Sequence, residues 1–307
     1  MTTLFDAPLQ PGLMIRGKWR KGCYQIRRLL GQGANGQVYL VSQGSSYYAL
    51  KIGYDSLEHL SEVNALKQLS QSAAFENYLI DVDDARLEGK DYPFSVIRYI
   101  KGDNIHRFLQ ENGLDWVYLV GWNLLGKLTE LHGTGWIFGD LKPENVLVSG
   151  RGAVHLIDFG GVTGRGRAVK QFTEMYDRGY WSAGSRSAEE SYDLFSFAVL
   201  MLSMLDSSDT FRSLPVVLPH NRTVGVLLDR VYKEPACRTI APFLEKNALT
   251  GKYASSKEAR LEWRKQMLQH RMRRPPAPGK KGVWVPASFA LSIALFAATV
   301  YFFQIRG

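Results

Sequence analysis

Phe138-Gly139-Asp140-Leu141-Lys142-Pro143-Glu144-Asn145-Val146-Leu147-Val148 decides the fold, together with Leu156-Ile157-Asp158-Phe159-Gly160 a hairpin's length further on. Asp140 and Asn145 lie five apart on a turn, so both can face one cleft. A carboxylate there can orient an attacking hydroxyl, and an amide oxygen can coordinate a metal. The second run is an apolar strand ending in a carboxylate, and Asp158 suits Mg²⁺, a hard ion that prefers oxygen ligands. Asp-Phe-Gly alone is an ordinary turn; the order and spacing of the two runs give it meaning.

Working back towards the N-terminus, Gly31-Gln32-Gly33-Ala34-Asn35-Gly36-Gln37-Val38 sits between two strand-like runs. Glycines let backbone N–H groups approach phosphate oxygens closely. The residues after Gly36 read as a strand rather than a helix, which favours a loop folded over a nucleotide. Ala49-Leu50-Lys51-Ile52 follows. A lysine in an apolar strand is costly unless paired, and phosphate oxygens and an acid are its natural partners. The next helix, expected over residues 57–69, offers Glu62, with Glu58 one turn earlier as the alternative.

This constellation resembles the eukaryotic-like (Hanks-type) protein kinases, over residues 20–205 at least. The resemblance implies an α+β, two-lobed protein-kinase-like fold, with ATP as co-substrate and Mg²⁺, or Mn²⁺ in its place. It implies that Gly31, Gly33 and Gly36 cover the phosphates, that Leu30, Val38 and Ala49 roof the adenine, and that Leu147 forms its floor. Lys51 then holds the α- and β-phosphates and pairs with Glu62. Ser95-Val96-Ile97-Arg98-Tyr99-Ile100 resembles the hinge, with Ile97 as gatekeeper and Tyr99 and Ile100 beside the nucleotide; Asp103 approaches the ribose. Asp140 is the catalytic base, Lys142 touches the γ-phosphate, and Asn145 and Asp158 bind the metal. Thr173 belongs to the substrate loop, and Asp193 matches the buried aspartate that supports the catalytic loop.

Two departures stand out. Phe138-Gly139 replaces the family's His-Arg, whose arginine receives an activation-loop phosphate. Phosphorylation between Asp158 and Tyr180 is therefore not expected to be obligatory, and Thr173 is expected as a substrate-loop contact rather than a switch. The Ala-Pro-Glu motif is also missing; Arg178-Gly179-Tyr180 stands in its place, which puts the ion pair bracing the helical lobe in doubt. Gly139-Asp140 is also similar to small-molecule kinases of the aminoglycoside phosphotransferase type, and an inactive scaffold on the same fold is a third reading. Lys142, two residues after the base, together with the intact Asp158-Phe159-Gly160 and Thr173, favours a serine/threonine protein kinase acting on protein substrates.

The chain has 307 residues, 45% hydrophobic and 22% charged, which excludes long disorder, collagen and a disulfide scaffold as whole-chain readings. Cys23 and Cys237 match no metal or redox spacing and suit a reducing cytosol. Residues 24–30, 38–41, 47–52 and 94–100 read as strands, and residues 103–262 mostly as helices. The expected organisation is a tail over 1–12, a kinase domain over 13–262 with lobes of about 13–100 and 103–262, a basic segment over 263–282, a single membrane span over 283–303 and an outer tail over 304–307. Residues 283–303 carry no charge, and at ~1.5 Å per residue they cross a bilayer core of about 30 Å. From residue 264 onward there are eight Lys/Arg and no acid, seven of them before the span, while the remaining 263 residues carry 30 basic and 29 acidic groups. The positive-inside rule then places the kinase domain in the cytoplasm at the cell membrane, with no sensor domain outside. This layout resembles the short membrane-anchored bacterial Ser/Thr kinases of spore formers, a type linked to DNA binding, and the likeness implies a tie to sporulation.

A second basic cluster, Arg16, Lys18, Arg20, Lys21, Arg27 and Arg28, falls within 13 residues without an acid, with Trp19 and Tyr24 interleaved. Arg165, Arg167 and Lys170 add to it. Three readings stay open: a solvated face, an anionic lipid membrane, or DNA held without sequence specificity, where two copies aligned on one strand would act as a homodimer. Activation is expected from membrane clustering or a bound polyanion.

Overall fold

The computed structural model describes residues 8–33, 35–72, 75–206, 218–245, 249–273 and 284–306. Residues through Gln266 form one compact unit and residues from Met267 a second. The first unit opens with β1 (Met14–Arg16), β2 (Cys23–Gly33), β3 (Gly36–Gln43), β4 (Ser46–Gly53), α1 (Ser56–Leu69), β5 (Leu79–Leu87) and β6 (Lys90–Arg98). The strands make one antiparallel sheet in the order β1-β2-β3-β4-β6-β5.

Alternation sets the two faces of this sheet. Tyr39, Val41, Leu50, Ile52, Phe94 and Val96 are buried in one core with Ile15, Tyr24 and Ile26. Directly opposed residues share a face, so Val38, Lys51 and Ser95 point the other way, as do Ala49 and its partner Ile97. That second face carries the residues expected around a nucleotide. Helix α1 is capped by Asp55, whose carboxylate accepts from the N–H groups of Leu57 and Glu58 at 2.7 and 2.9 Å, and it buries Glu62, Val63, Leu66 and Leu69.

The helical lobe follows: β7 (Asp103–Asn104), α2 (Ile105–Asn112), α3 (Trp116–His132), β8 (Trp136–Ile137), β9 (Val146–Ser149), β10 (Ala153–Leu156), β11 (Thr163–Gly164), α4 (Glu190–Leu205), α5 (Val224–Lys233), α6 (Ala241–Phe243) and α7 (Ser256–Arg273). Helix α4 is almost wholly buried, which explains its near-continuous apolar sequence. Trp263 of α7 is fully buried, packs against Phe197 and Phe243, and donates from its indole to the Tyr118 carbonyl at 2.8 Å. At the start of α7 the Ser255 Oγ accepts from the Glu258 N–H at 3.2 Å, and the Glu258 carboxylate accepts from the Ala254 N–H at 2.9 Å.

Two strands of the six-stranded sheet were not expected from the sequence, β1 and β5. The residues of β5, Leu79-Ile80-Asp81-Val82-Asp83-Asp84-Ala85, carry three aspartates, which are depleted in strands. Their carboxylates accept hydrogen bonds from the Trp19–Tyr24 region, and that tertiary satisfaction overrides local preference.

In the second unit, α8 (Trp284–Arg306) is helical, and described side chains such as Phe289, Leu291 and Phe296 are exposed. The helix covers most of the segment where the sequence predicts a membrane span, but residue 283 and several α8 side chains lie outside the described residues. Among the described residues, no helix is long and apolar enough to cross a membrane. The stretch Arg274-Pro275-Pro276-Ala277-Pro278-Gly279, whose composition reads as a linker, also lies outside them.

Candidate active site

Lys51 on β4 is the hub. Its Nζ lies 2.7 Å from Glu62 Oε2 and 2.8 Å from Asp158 Oδ1, so Glu62, and not the exposed Glu58, is the partner on α1. Burial works against the charge on Lys51, but the two carboxylates outweigh it and hold the ammonium above the ordinary lysine range. Burial would likewise raise Asp158, yet Lys51 keeps it below the usual carboxylate range. Asp158 keeps 47% of its side-chain surface open to the cleft. Its φ of 61° is left-handed, a conformation that costs a non-glycine residue about 1–3 kcal/mol and clusters at functional sites.

Phe159 anchors that conformation. Its ring is 1% exposed and meets Phe75, Tyr78 and Phe138 edge-on, at centroid distances of 5.9, 5.0 and 5.9 Å. Such pairs contribute about 0.5–1.5 kcal/mol each beyond area burial.

The second constellation surrounds Asp140. Its Oδ2 accepts from Lys142 Nζ at 2.7 Å, and its Oδ1 accepts from the Thr173 hydroxyl at 2.9 Å. Lys142 also reaches Thr173 Oγ1 at 3.2 Å. Asn145, in a 3₁₀ turn opened by Pro143, donates to the Asp140 carbonyl at 2.8 Å. This leaves the Asn145 amide oxygen and the second Asp158 oxygen as ligands for a hard cation. Two protein oxygens suit Mg²⁺, which retains waters and substrate phosphate oxygens as its other ligands. Among the described residues, no group of three or more His, Cys, Asp or Glu side chains could hold a metal ion.

Asp193 holds the loop in place. It is fully buried and accepts from the backbone N–H groups of Phe138 at 2.7 Å and Gly139 at 2.9 Å, while His132 Nε2 lies 2.8 Å away. Gly139 has φ 82°, and a Cβ there would meet the Gly161 carbonyl at 2.8 Å. The catalytic loop and the segment after Asp158 thus touch backbone to backbone, with no room for the family's arginine.

The residues expected around a nucleotide lie in the β2–β3 hairpin, on the second face of the sheet and in the segments that follow it. The β2–β3 hairpin pairs Gly31 with Val38 and Gly33 with Gly36. A Cβ at Gly31 or Gly33 would meet no protein atom within 4 Å, whereas one at Gly36 would collide with the Ile52 carbonyl. Gly36 is thus required by the close approach of β4, and the other two face open space that a phosphate can enter. Leu30, Val38, Ile97, Tyr99, Ile100 and Leu147 are half-buried, and Ala49 is buried. Alternation on β9 turns Leu147 away from the buried Val146 and Val148. Asp103 is half-buried and lies 3.5 Å from Arg107.

In the cluster at Arg16–Arg28, Lys18 pairs with Asp91 at 2.6 Å and Arg20 with Asp81 at 3.2 Å. Lys21 donates to the Lys18 carbonyl, and Arg27 to Ser42 Oγ. Trp19 gives its indole N–H to Asp84. Tyr24 is 2% exposed and bonded to Asp81, so it offers no stacking face. Arg16 and Arg28 are exposed.

Sequence reasoning also missed the brace that replaces the absent Ala-Pro-Glu motif. Asp177, fully buried, accepts from Arg186, from the Tyr192 hydroxyl at 2.8 Å and from the Tyr180 N–H at 2.9 Å. Arg178 is buried against Ser191 and Glu189. The only sequence signal was the presence of charged residues around Gly179.

Comparison with known proteins fits this geometry. The protein kinase domain family matches residues 24–226. The chain is 44% identical over 212 residues to the serine/threonine-protein kinase YabT of Bacillus subtilis (strain 168), covering 67% of this chain and 63% of that protein. It is 28% identical over 212 residues to ribosomal protein S6 kinase alpha-2 of Mus musculus, covering 62% of this chain and 28% of that protein. The structure of vaccinia related kinase 3 superposes with a TM-score of 0.62 at 16% identity, covering 89% of this chain and 95% of that chain, a likeness of fold. The chain belongs to the protein kinase family.

His132 yields a test of the loop's support. Burial opposes its charge, but the carboxylates of Asp193 and Glu190 outweigh it and raise it above its ordinary 6.5. A raised folded-state value stabilises fully below the unfolded-state value and is lost as pH rises through the folded one. The stability gap between the wild type and His132→Gln is therefore expected to be largest below the ordinary histidine value of about 6.5 and to shrink as pH is raised above it. Denaturant midpoints on both sides of that value measure it; a gap that is flat or grows with pH contradicts the assignment.

Proposed function

We propose that this chain is a serine/threonine protein kinase, transferring the γ-phosphoryl group of ATP to Ser or Thr hydroxyls of protein substrates. We also propose that residues 283–303 anchor it in a membrane, with the kinase domain on the cytoplasmic side. The observation that carries the activity is the convergence of Lys142, Thr173 and Asn145 on Asp140, beside an Asp158 paired with Lys51.

When bound, Mg-ATP supplies the phosphoryl group and neutralises its charge. Lys51 lies where it can hold phosphate oxygens while Glu62 fixes its position. Asp140 accepts the proton of the substrate hydroxyl as its oxygen forms a bond to phosphorus and the bond to the ADP oxygen breaks. Lys142 offsets charge on the transferring group, and Thr173 lines up the substrate segment. Thr173, held between Asp140 and Lys142, favours a polypeptide acceptor over a small molecule, and the intact Lys51–Glu62–Asp158 pairing favours turnover over a scaffold role.

For the anchor, the support is the uncharged run and the seven Lys/Arg before it, each worth about 1 kcal/mol near anionic lipid. Lipid ranks ahead of DNA as the polyanion partner, because Lys18 and Arg20 already spend their charge on Asp91 and Asp81.

With Mg-ATP and a generic protein substrate, Asp140→Asn is expected to lower kcat by about 10²–10⁴-fold. Asp158→Asn is expected to abolish measurable transfer, with both variants folded by circular dichroism. Wild-type turnover by either variant defeats the role assignments. Separately, the full chain is expected to stay with membranes through a carbonate wash; its recovery in the soluble fraction defeats the anchor.

A further inference from the structure

Helix α7 carries its free charge on one side. Its inward side is fixed to the first unit: Trp263 is fully buried and donates to the Tyr118 carbonyl, and Ser256 donates from its N–H and its hydroxyl to Glu190 at 2.7 and 2.8 Å. At 3.6 residues per turn, Lys257, Arg260, Leu261 and Arg264 share the opposite side, within about 100° of arc. Lys257, Leu261 and Arg264 are exposed and Arg260 is half-buried; Leu261 leaves 53% of its surface in solvent. The acids of α7 fall beside that arc, where Glu258 accepts from the Ala254 N–H and Glu262 pairs with Lys265 at 2.7 Å. Arg260 and Arg264 lie over the ring of Trp122 on α3, at 4.3 and 5.9 Å from its centroid. Neither they nor Lys257 form an ion pair or a hydrogen bond with a described residue.

That side fits the surface of an anionic bilayer. Guanidinium groups engage phosphate oxygens through a planar fork, and clustered Lys/Arg near a membrane are drawn to anionic headgroups. Leu261 and the half-buried Trp122 ring add an apolar component. Tryptophan and leucine set among Lys and Arg make up surfaces that lie in the headgroup layer. A nucleic-acid backbone matches the cations equally well but offers no apolar partner to Leu261. Position in the sequence points the same way: the helix leads through further basic residues to the uncharged run at 283–303.

We propose that this side of α7, together with Trp122, is a lipid-docking surface that lies on anionic headgroups and holds the kinase domain against the bilayer. Because Trp263 and Ser256 fix the inward side of the helix, the contact holds the folded domain and not a loose tail. The choice of a bilayer as partner rests on the membrane reading given above; the contact itself does not require residues 283–303 to span.

The test uses the full chain, reconstituted with vesicles of phosphatidylcholine alone or mixed with phosphatidylglycerol, and reads the acetylation of single lysines by mass spectrometry. Lys257 is expected to react severalfold more slowly on the anionic vesicles than on the neutral ones, with the exposed Lys67 of α1 unchanged. The difference is expected to fade as salt is raised, because the screening length falls from about 10 Å at 0.1 M to about 3 Å at 1 M. Arg260→Gln combined with Arg264→Gln is expected to remove most of the protection. Arg264→Glu, at an exposed position, is expected to do the same and keeps the test open if the double variant misfolds, with folding checked by circular dichroism. Equal reactivity of Lys257 on the two vesicles, slowing of Lys67 as large as that of Lys257, or protection that survives in folded variants overturns the proposal. So does protection of Lys257 by double-stranded DNA with none by anionic vesicles. A full chain that stays in solution beside neutral vesicles, yet shows Lys257 protected once phosphatidylglycerol is present, supports this surface and counts against the anchor at 283–303 alone.

Discussion

One buried cation holds the site together. Lys51 sits on a strand of the sheet, its partner Glu62 on the helix packed beside it, and Asp158 at the mouth of the helical lobe. With Lys51 and Glu62 side chains only 10% and 9% exposed, removing one partner strands the other in a low-dielectric setting, at a cost of about 3–5 kcal/mol. The pairing therefore acts less as a source of stability than as a constraint: β4, α1 and Asp158 must be in place together. The left-handed backbone of Asp158 and the aromatic cage around Phe159 serve the same end, aiming one carboxylate oxygen at Lys51 and leaving the other to the cleft.

The helical lobe applies a parallel logic with buried acids. Asp193 fixes two backbone N–H groups of the catalytic loop, and His132 and Glu190 extend that support to Arg165 and to the start of α7. Asp177 gathers Arg186, Tyr192 and Tyr180 beneath the substrate segment. Each buried carboxylate has its acceptor capacity used by donors within reach, which is what makes such burial affordable. Gly139 against Gly161 then sets the spacing between the two loops that carry Asp140 and Asp158.

Much of this was legible in the sequence. Lys51, Asp140, Asn145 and Asp158 could be located because their chemistry demands particular residues at particular intervals, whereas Thr173 and Asp193 came only from the resemblance to the protein kinases. The choice between Glu58 and Glu62 could not be made from spacing alone, because both lie on one helix within reach of the same sheet; burial decides it. Strand β5 was hidden by its own aspartates, and in the basic cluster at Arg16–Arg28 the fold pairs Arg20 with Asp81 of β5 and Lys18 with Asp91 of β6. The Asp177–Arg186 and Arg178–Glu189 contacts join residues nine and eleven apart through loops of no regular period, so only the folded chain brings them into view. The expected membrane span is the reverse case: the sequence proposes it by composition alone, while part of it lies outside the described residues.

The account's central claim is that Lys51 and Glu62 work as one unit to place the ammonium beside Asp158. A double-mutant cycle on kcat/KM for ATP, with Lys51→Ala, Glu62→Gln and the two combined, tests it most directly. Residues that act as a unit are strongly non-additive, so the double variant is expected to be about as impaired as the worse single one. Losses that simply multiply would show the two side chains acting independently and contradict the account.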